Sequence, residues 1–121
     1  MFEILQRGLK VERVQEYFSF YKNKKRYVVE FEDIIYFECC SKKIRVVTID
    51  DVIEYYGNFK DLREQLPMDL FWVVHSSFAI NVNYVKCYKS DSVLLETGKV
   101  IYVSRKYKKE YNQKLSLRIQ S

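Results

Sequence analysis

The stretch Ser104-Arg105-Lys106-Tyr107-Lys108-Lys109 places four cations in six residues, directly behind an alternating apolar run from Val100 to Val103. Two further basic clusters stand at breaks in the hydrophobic pattern. One is Lys22, Lys24, Lys25 and Arg26; the other is Lys42, Lys43 and Arg45. Guanidinium and ammonium groups on loops can do two kinds of recognition chemistry. A planar guanidinium fork can make a bidentate contact to guanine in a major groove. An ammonium is better suited to neutralising a phosphate, which adds affinity but carries no sequence information. If the three basic loops line up along one edge, they form a stripe that can track a phosphate backbone.

Catalytic sets are missing from the pattern. There is no GxSxG, Walker A, GxGxxG or HExxH arrangement. His75 is the single imidazole, and His75-Ser76-Ser77 would need an orienting group and an oxyanion hole to act as a nucleophile pair. A lone histidine with no ligand cluster also argues against a zinc site, and no cofactor is expected. Cys39, Cys40 and Cys87 are an odd number of thiols, which fits a reducing cytoplasm. Adjacent on a strand, Cys39 and Cys40 face opposite ways and cannot act as a redox pair; small core residues is the expectation for these cysteines.

Charge is divided unevenly along the chain. Residues 1–69 hold 12 basic and 13 acidic side chains, whereas residues 70–121 hold 9 basic and 3 acidic, so the second half alone carries +6. That asymmetry suits a polyanionic partner or a solubilising basic tail. No apolar run is long enough to span a bilayer, so no membrane association is expected.

These loops need a scaffold, and 121 residues suffice for one domain with its own core. Eleven Tyr and eight Phe lean the composition toward β-structure. Period-two alternation predicts a hairpin from Phe18 to Phe31 with a basic turn at Lys22 to Lys25. Strands are predicted over Ile34 to Cys40, Ile44 to Ile49 and Val52 to Tyr56, with Ser41-Lys42-Lys43 and Asp50-Asp51 as breaks. Asn58 caps a predicted helix whose face is Phe59, Leu62 and Leu66, and Pro67 ends it. Phe71 to Val74 opens a stretch of no clear period. Tyr84 to Tyr88 alternates as a strand, and Val93 to Leu95 and Val100 to Val103 flank a Gly98 hairpin turn. Residues 1–16 read as a ragged amphipathic helix, and the tail from Tyr107 as partly helical. The expected fold is mainly β, eight to ten short strands with one or two short helices.

Two segments resemble a known family. "FWVVHSSFAINVNYV" (71–85) is similar to the F-x-x-x-H-x-S-[FY]-x-[IV]-N signature of LytTR domains, and "LLETGKVIYVSRKYKKEY" (94–111) to their closing strand, Gly turn, strand and S-R-x-[YF]. "EDIIYFECCSKKIRVVT" and "YYGNFKDLREQLP" resemble the family's opening strands and its helix. The resemblance covers about residues 17–115. It implies an elongated stack of small antiparallel β-sheets that binds double-stranded DNA through loops. It also implies a bacterial transcriptional regulator, commonly the output half of a two-component response regulator acting on imperfect repeats. Two copies on DNA are then expected. So is an upstream receiver domain, with 1–16 as the linker to it, if this chain is a fragment of a longer regulator.

Within that resemblance Arg105 is the base-reading residue, with Lys106, Lys108 and Lys109 on phosphates. Asn81 matches a family contact position, and Lys42 or Lys43 supplies a contact from the loop 41–45. His75 and Ser77 complete the candidate set, with a hydrogen-bonding role in the loop as their other reading. Asn81 has one too, since Asn often caps a turn. Tyr107 is expected to pack beneath the basic tail. The reading from another class is a β-rich protein-interaction module whose basic edge meets an acidic protein.

Overall fold

The computed structural model describes residues 16–120. The helix expected over 1–16 therefore lies, but for Glu16, outside the described residues; Tyr17 already belongs to a strand. Ten strands follow: β1 Tyr17–Lys22, β2 Lys25–Glu30, β3 Ile34–Cys40, β4 Lys43–Thr48, β5 Val52–Tyr56, β6 Phe71–His75, β7 Phe78–Asn81, β8 Val85–Tyr88, β9 Ser92–Leu95 and β10 Val100–Tyr102. Two α-helices are described, α1 Phe59–Gln65 between β5 and β6, and α2 Lys108–Gln120 after β10.

The strands make three antiparallel sheets: a β1–β2 hairpin, a five-stranded sheet in the order β5-β4-β3-β7-β6, and a three-stranded sheet β10-β9-β8. The five-stranded sheet is the middle layer, with a core on each side. Phe37, Ile44, Val46, Phe71, Val73 and Ala79 pack with Phe18 and Phe20 of the hairpin, Leu62 of α1 and Leu66 just beyond it. Trp72, Val74 and Ile80 point the other way, toward Val93, Leu95 and Ile101 of the small sheet and Tyr111 of α2. A strand buried on both faces reads as a continuous apolar run, which is why Phe71 to Val74 shows no period. In β3, Ile34 and Phe37 serve the first core while Ile35 and Tyr36 both serve the second. Two consecutive residues on one face require a bulge, and the register shifts between Ile34 and Tyr36.

Local chemistry sets the boundaries. Asn58 accepts the Asp61 N–H at 2.8 Å and donates its amide to the Asp61 carboxylate at 3.0 Å, capping α1. Leu66, ahead of Pro67, leaves the helix with extended backbone. Thr48 Oγ1 accepts the N–H of Asp50 and Asp51, closing the turn before β5. Gly98 takes φ +96° in the β9–β10 turn, which glycine adopts freely.

Two expectations are corrected. Cys40 and Cys87 are exposed rather than core residues, and only Cys39, half-buried, packs against the first core. The tail is a continuous helix of 13 residues rather than partly helical, held by buried Tyr111. Among the described residues, no helix is long and apolar enough to cross a membrane, and no group of three or more His, Cys, Asp or Glu could hold a metal.

Candidate nucleic-acid interface

The antiparallel register collects the candidate loops at one end of the five-stranded sheet. Cys40 pairs with Lys43 across the two-residue Ser41-Lys42 turn, and Lys43 pairs with Tyr56 at the close of β5. Glu38 pairs with Phe78, so the Ser76-Ser77 turn between β6 and β7 lies at that same end. The Cys39 N–H donates to the Ser77 carbonyl at 2.8 Å, joining the two turns. Beside β6, the Ser104 N–H donates to the Val74 carbonyl at 2.9 Å and leads into a 3-10 turn over Arg105–Tyr107. Five strands at the usual spacing span about 19 Å from β5 to β6. That row is wider than a single groove of B-DNA, whose minor and major grooves measure about 6 and 12 Å.

The basic segment is clamped at the β6 edge by its aromatics. Tyr107 is buried in the first core and Tyr111, one helical turn later, in the second. The two rings straddle the sheet, so the chain between them is fixed while Arg105 and Lys106 remain exposed. The Tyr111 hydroxyl donates to the Lys89 carbonyl at 2.6 Å, and burial pushes its phenol up to about 12. This explains the abrupt change of character after Val103: the last strand is scaffold, and alternate aromatics hold the cations outward. Lys108 and Lys109 begin α2, where their charge opposes the helix dipole unless an anion sits nearby.

The β3–β4 turn is built tightly. Ser41 takes φ +58°, the first-position geometry of a type II′ turn that usually calls for glycine. The Gly57 N–H donates to the Lys42 carbonyl at 2.9 Å. A Cβ on Gly57 would meet the Tyr55 ring at 2.8 Å, so only glycine allows this approach without a shift. Lys42 projects from the turn with no ion pair among the described residues. Lys43 instead approaches Glu54 at 4.0 Å and lies 5.4 Å from the Tyr56 ring centre, and Arg45 contacts Glu38 at 3.2 Å and Glu54 at 3.3 Å. Of the two lysines proposed for this loop, Lys42 is the freer. The Cys40 thiol in the same turn is pushed upward, first by desolvation and then by Glu38.

His75 and Ser77 are partly covered and shape the β6–β7 turn. The Ser77 N–H donates to His75 Nδ1 at 3.0 Å, and the imidazole meets the Phe78 ring edge-on at 5.5 Å. That geometry makes them positioning residues for Ser76, which is exposed at the tip. Asn81 requires a correction. It is completely buried, its amide donates to the carbonyls of Ile34 at 2.9 Å and Phe31 at 3.4 Å, and its Oδ1 accepts the Asn83 N–H at 2.8 Å. The side chain caps the 3-10 turn after β7 and has no donor or acceptor facing solvent.

The structure adds residues that pattern reading passed over. An open groove brings Ser76 and Lys106 together with Lys60 and Arg63 of α1 around Tyr107. The Arg63 guanidinium lies 5.9 Å and the Lys106 ammonium 5.5 Å from the Tyr107 ring centre. Lys60 and Arg63 are three apart on the outer face of a helix already identified, so their side of the helix was legible; their proximity to Lys106 was not.

Among the described residues, a β-built scaffold carries exposed cations on loops at one sheet end, an arrangement suited to a nucleic-acid-binding module. The family model of the LytTr DNA-binding domain matches residues 24–116, and the chain belongs to that family, which is a DNA-binding family and not an enzyme family. It is similar to the sensory transduction protein LytT of Bacillus anthracis (27% identical, 74% of this chain, 39% of that protein) and of Enterococcus faecalis (28%, 75% and 40%). It also resembles the transcriptional regulatory protein NatR of Bacillus subtilis, 32% identical over 60 residues, covering 50% of this chain and 26% of that protein. The chain thus spans about two fifths of the LytT proteins' length. Its fold matches the LytTr DNA-binding domain of a Bacillus cereus response regulator, with a TM-score of 0.73 at 23% identity over 84% of this chain and 97% of that one.

Proposed function

We propose that this domain binds duplex DNA sequence-specifically through the loops at one end of its five-stranded sheet, as the DNA-binding part of a cytoplasmic bacterial transcription regulator. Arg105 is the base-reading residue. Lys42, Lys106, Lys108 and Lys109 neutralise phosphates, Lys43 adds charge close to the sheet, and His75 and Ser77 hold the middle turn. Asn81 acts only through the scaffold. The observation that carries this reading is the position of Arg105: exposed, without an ion pair among the described residues, yet flanked by a strand and by a buried tyrosine two residues on. An unpaired guanidinium carried on a fixed backbone is suited to a fork contact with guanine.

The LytT relatives are about twice as long as this chain, and on that ground we place it with an upstream receiver domain in a two-component response regulator. Two copies on imperfect repeats follow from the same reading. The test is selection from a random duplex library at physiological salt. An enriched short motif supports base readout. Retention with no motif leaves only a phosphate-tracking surface, and no retention favours an acidic protein partner.

A further inference from the structure

The β1–β2 hairpin turn is unclaimed by the site described above, yet its cationic run, Lys22, Lys24, Lys25 and Arg26, is as dense as the one from Arg105 to Lys109. Lys22 pairs with Lys25 across a two-residue turn whose members, Asn23 and Lys24, have φ +53° and +64°. This is a type I′ geometry, in which Asn is at home at the first position and glycine is the favoured residue at the second. Lys24 holds a left-handed backbone that a β-carbon disfavours, and a residue kept at such a position invites a functional explanation for its side chain.

The turn is not isolated from the basic end of the sheet. Tyr21, Lys22 and Asn23 line one cleft with Lys43, Glu54 and Tyr56. The hairpin therefore lies at the β5 side of the row, and Arg105 lies at the β6 side. Within the cleft the charges are already sorted. Glu54 is taken by Lys43 and Arg45, and Arg26 is folded back, donating to Ser19 Oγ at 2.7 Å and stacking 4.2 Å from the Tyr21 ring centre. Lys22, Lys24 and Lys25 make no ion pair among the described residues, and Lys24 and Lys25 are exposed at the tip.

We infer that the β1–β2 turn is a further DNA-contacting element, a phosphate clamp in which Lys22, Lys24 and Lys25 hold the duplex backbone at the end of the row opposite Arg105. The inference rests on the DNA-binding reading and extends it. Flexible ammonium groups with no planar fork suit phosphates rather than base edges, so the clamp adds affinity and register without sequence preference. Because the whole width of the sheet separates it from Arg105, the two grip different stretches of backbone.

The experiment measures binding of the 121-residue chain to a mixed-sequence 40-base-pair duplex across a series of salt concentrations. Each phosphate neutralised contributes about 0.9 to the slope of log K against log salt. The triple variant Lys22→Ala, Lys24→Ala, Lys25→Ala should lower that slope by about 2 to 3, with the wild-type motif unchanged in library selection. Lys24→Gly separates binding from folding: it should raise Tm by relieving the turn while lowering the slope by about 1. A wild-type slope retained in both variants overturns the clamp while leaving the DNA reading intact. A wild-type chain with no salt-dependent duplex binding overturns both.

Discussion

Asn81 and Arg105 are both polar residues within the family-like segments, at or just beyond the end of a strand, and they have opposite fates. Asn81 is enclosed, with its amide and carbonyl spent on Ile34, Phe31 and Asn83. Arg105 is exposed, and its backbone rather than its side chain ties it to the fold. A residue type states what hydrogen bonds a side chain can make. Only the packing states whether those bonds are directed inward or outward. In this domain the corner after β7 stores polarity to hold the β3 and β7 ends together, while the segment after β10 leaves it available.

That contrast can be broken at four points. The largest effect belongs to Asn81→Ala, which leaves two carbonyls and an N–H without their partner in a closed site. Denaturant unfolding should show a loss of about 2–4 kcal/mol, while the fraction that remains folded keeps its DNA sequence preference. Preference lost at unchanged stability would return Asn81 to the interface. Next is Arg105→Ala. Its stability should stay within about 0.5 kcal/mol of wild type, and its affinity for a selected operator should fall by about 1–3 kcal/mol, with relaxation at one base position.

Tyr111→Phe probes the anchor between the two regions. Removing its hydroxyl bond to Lys89 should cost about 1 kcal/mol near neutral pH. The phenol's folded value near 12 lies above its ordinary value of 10.0. The fold therefore favours the neutral form, and this contribution is fully present below pH 10.0 and fades as pH rises toward about 12. Stability should fall less steeply over that window in Tyr111→Phe; an identical alkaline slope would show that Tyr111 does not carry the loss. The smallest effect is that of Lys42→Ala, which should lower the salt slope by about 0.9 without changing the selected motif. A changed motif would make Lys42 a base contact.

Much of the architecture was legible because its signals are local. Alternation gave the two outer hairpins, Asn58 and Pro67 bounded α1, and Gly98 marked its turn. The hairpin β6–β7 was not legible as two strands. Its first strand is buried on both faces, which erases the period, and its turn is made of Ser76 and Ser77 with neither glycine nor proline. The cysteines misled for a related reason: small apolar-like residues at strand ends read as core, whereas Cys40 and Cys87 lie where the neighbouring layers stop. The exposure of Arg105 was legible because a basic run behind a strand has no structural use in a core, whereas its proposed base-reading role rests on the family resemblance. Asn81 could not be resolved, because turn caps and base contacts employ the same amide. The inclusion of Lys60, Arg63 and the β1–β2 turn depends on long-range layering that no spacing rule encodes.

The most direct test of the central claim compares wild type with Arg105→Ala in selection from a random duplex library at physiological salt, sequencing both bound pools. The account predicts one enriched motif in the wild-type pool and the same motif with a single relaxed position in the variant pool. The same motif at every position in both pools, or none in the wild-type pool, would contradict it.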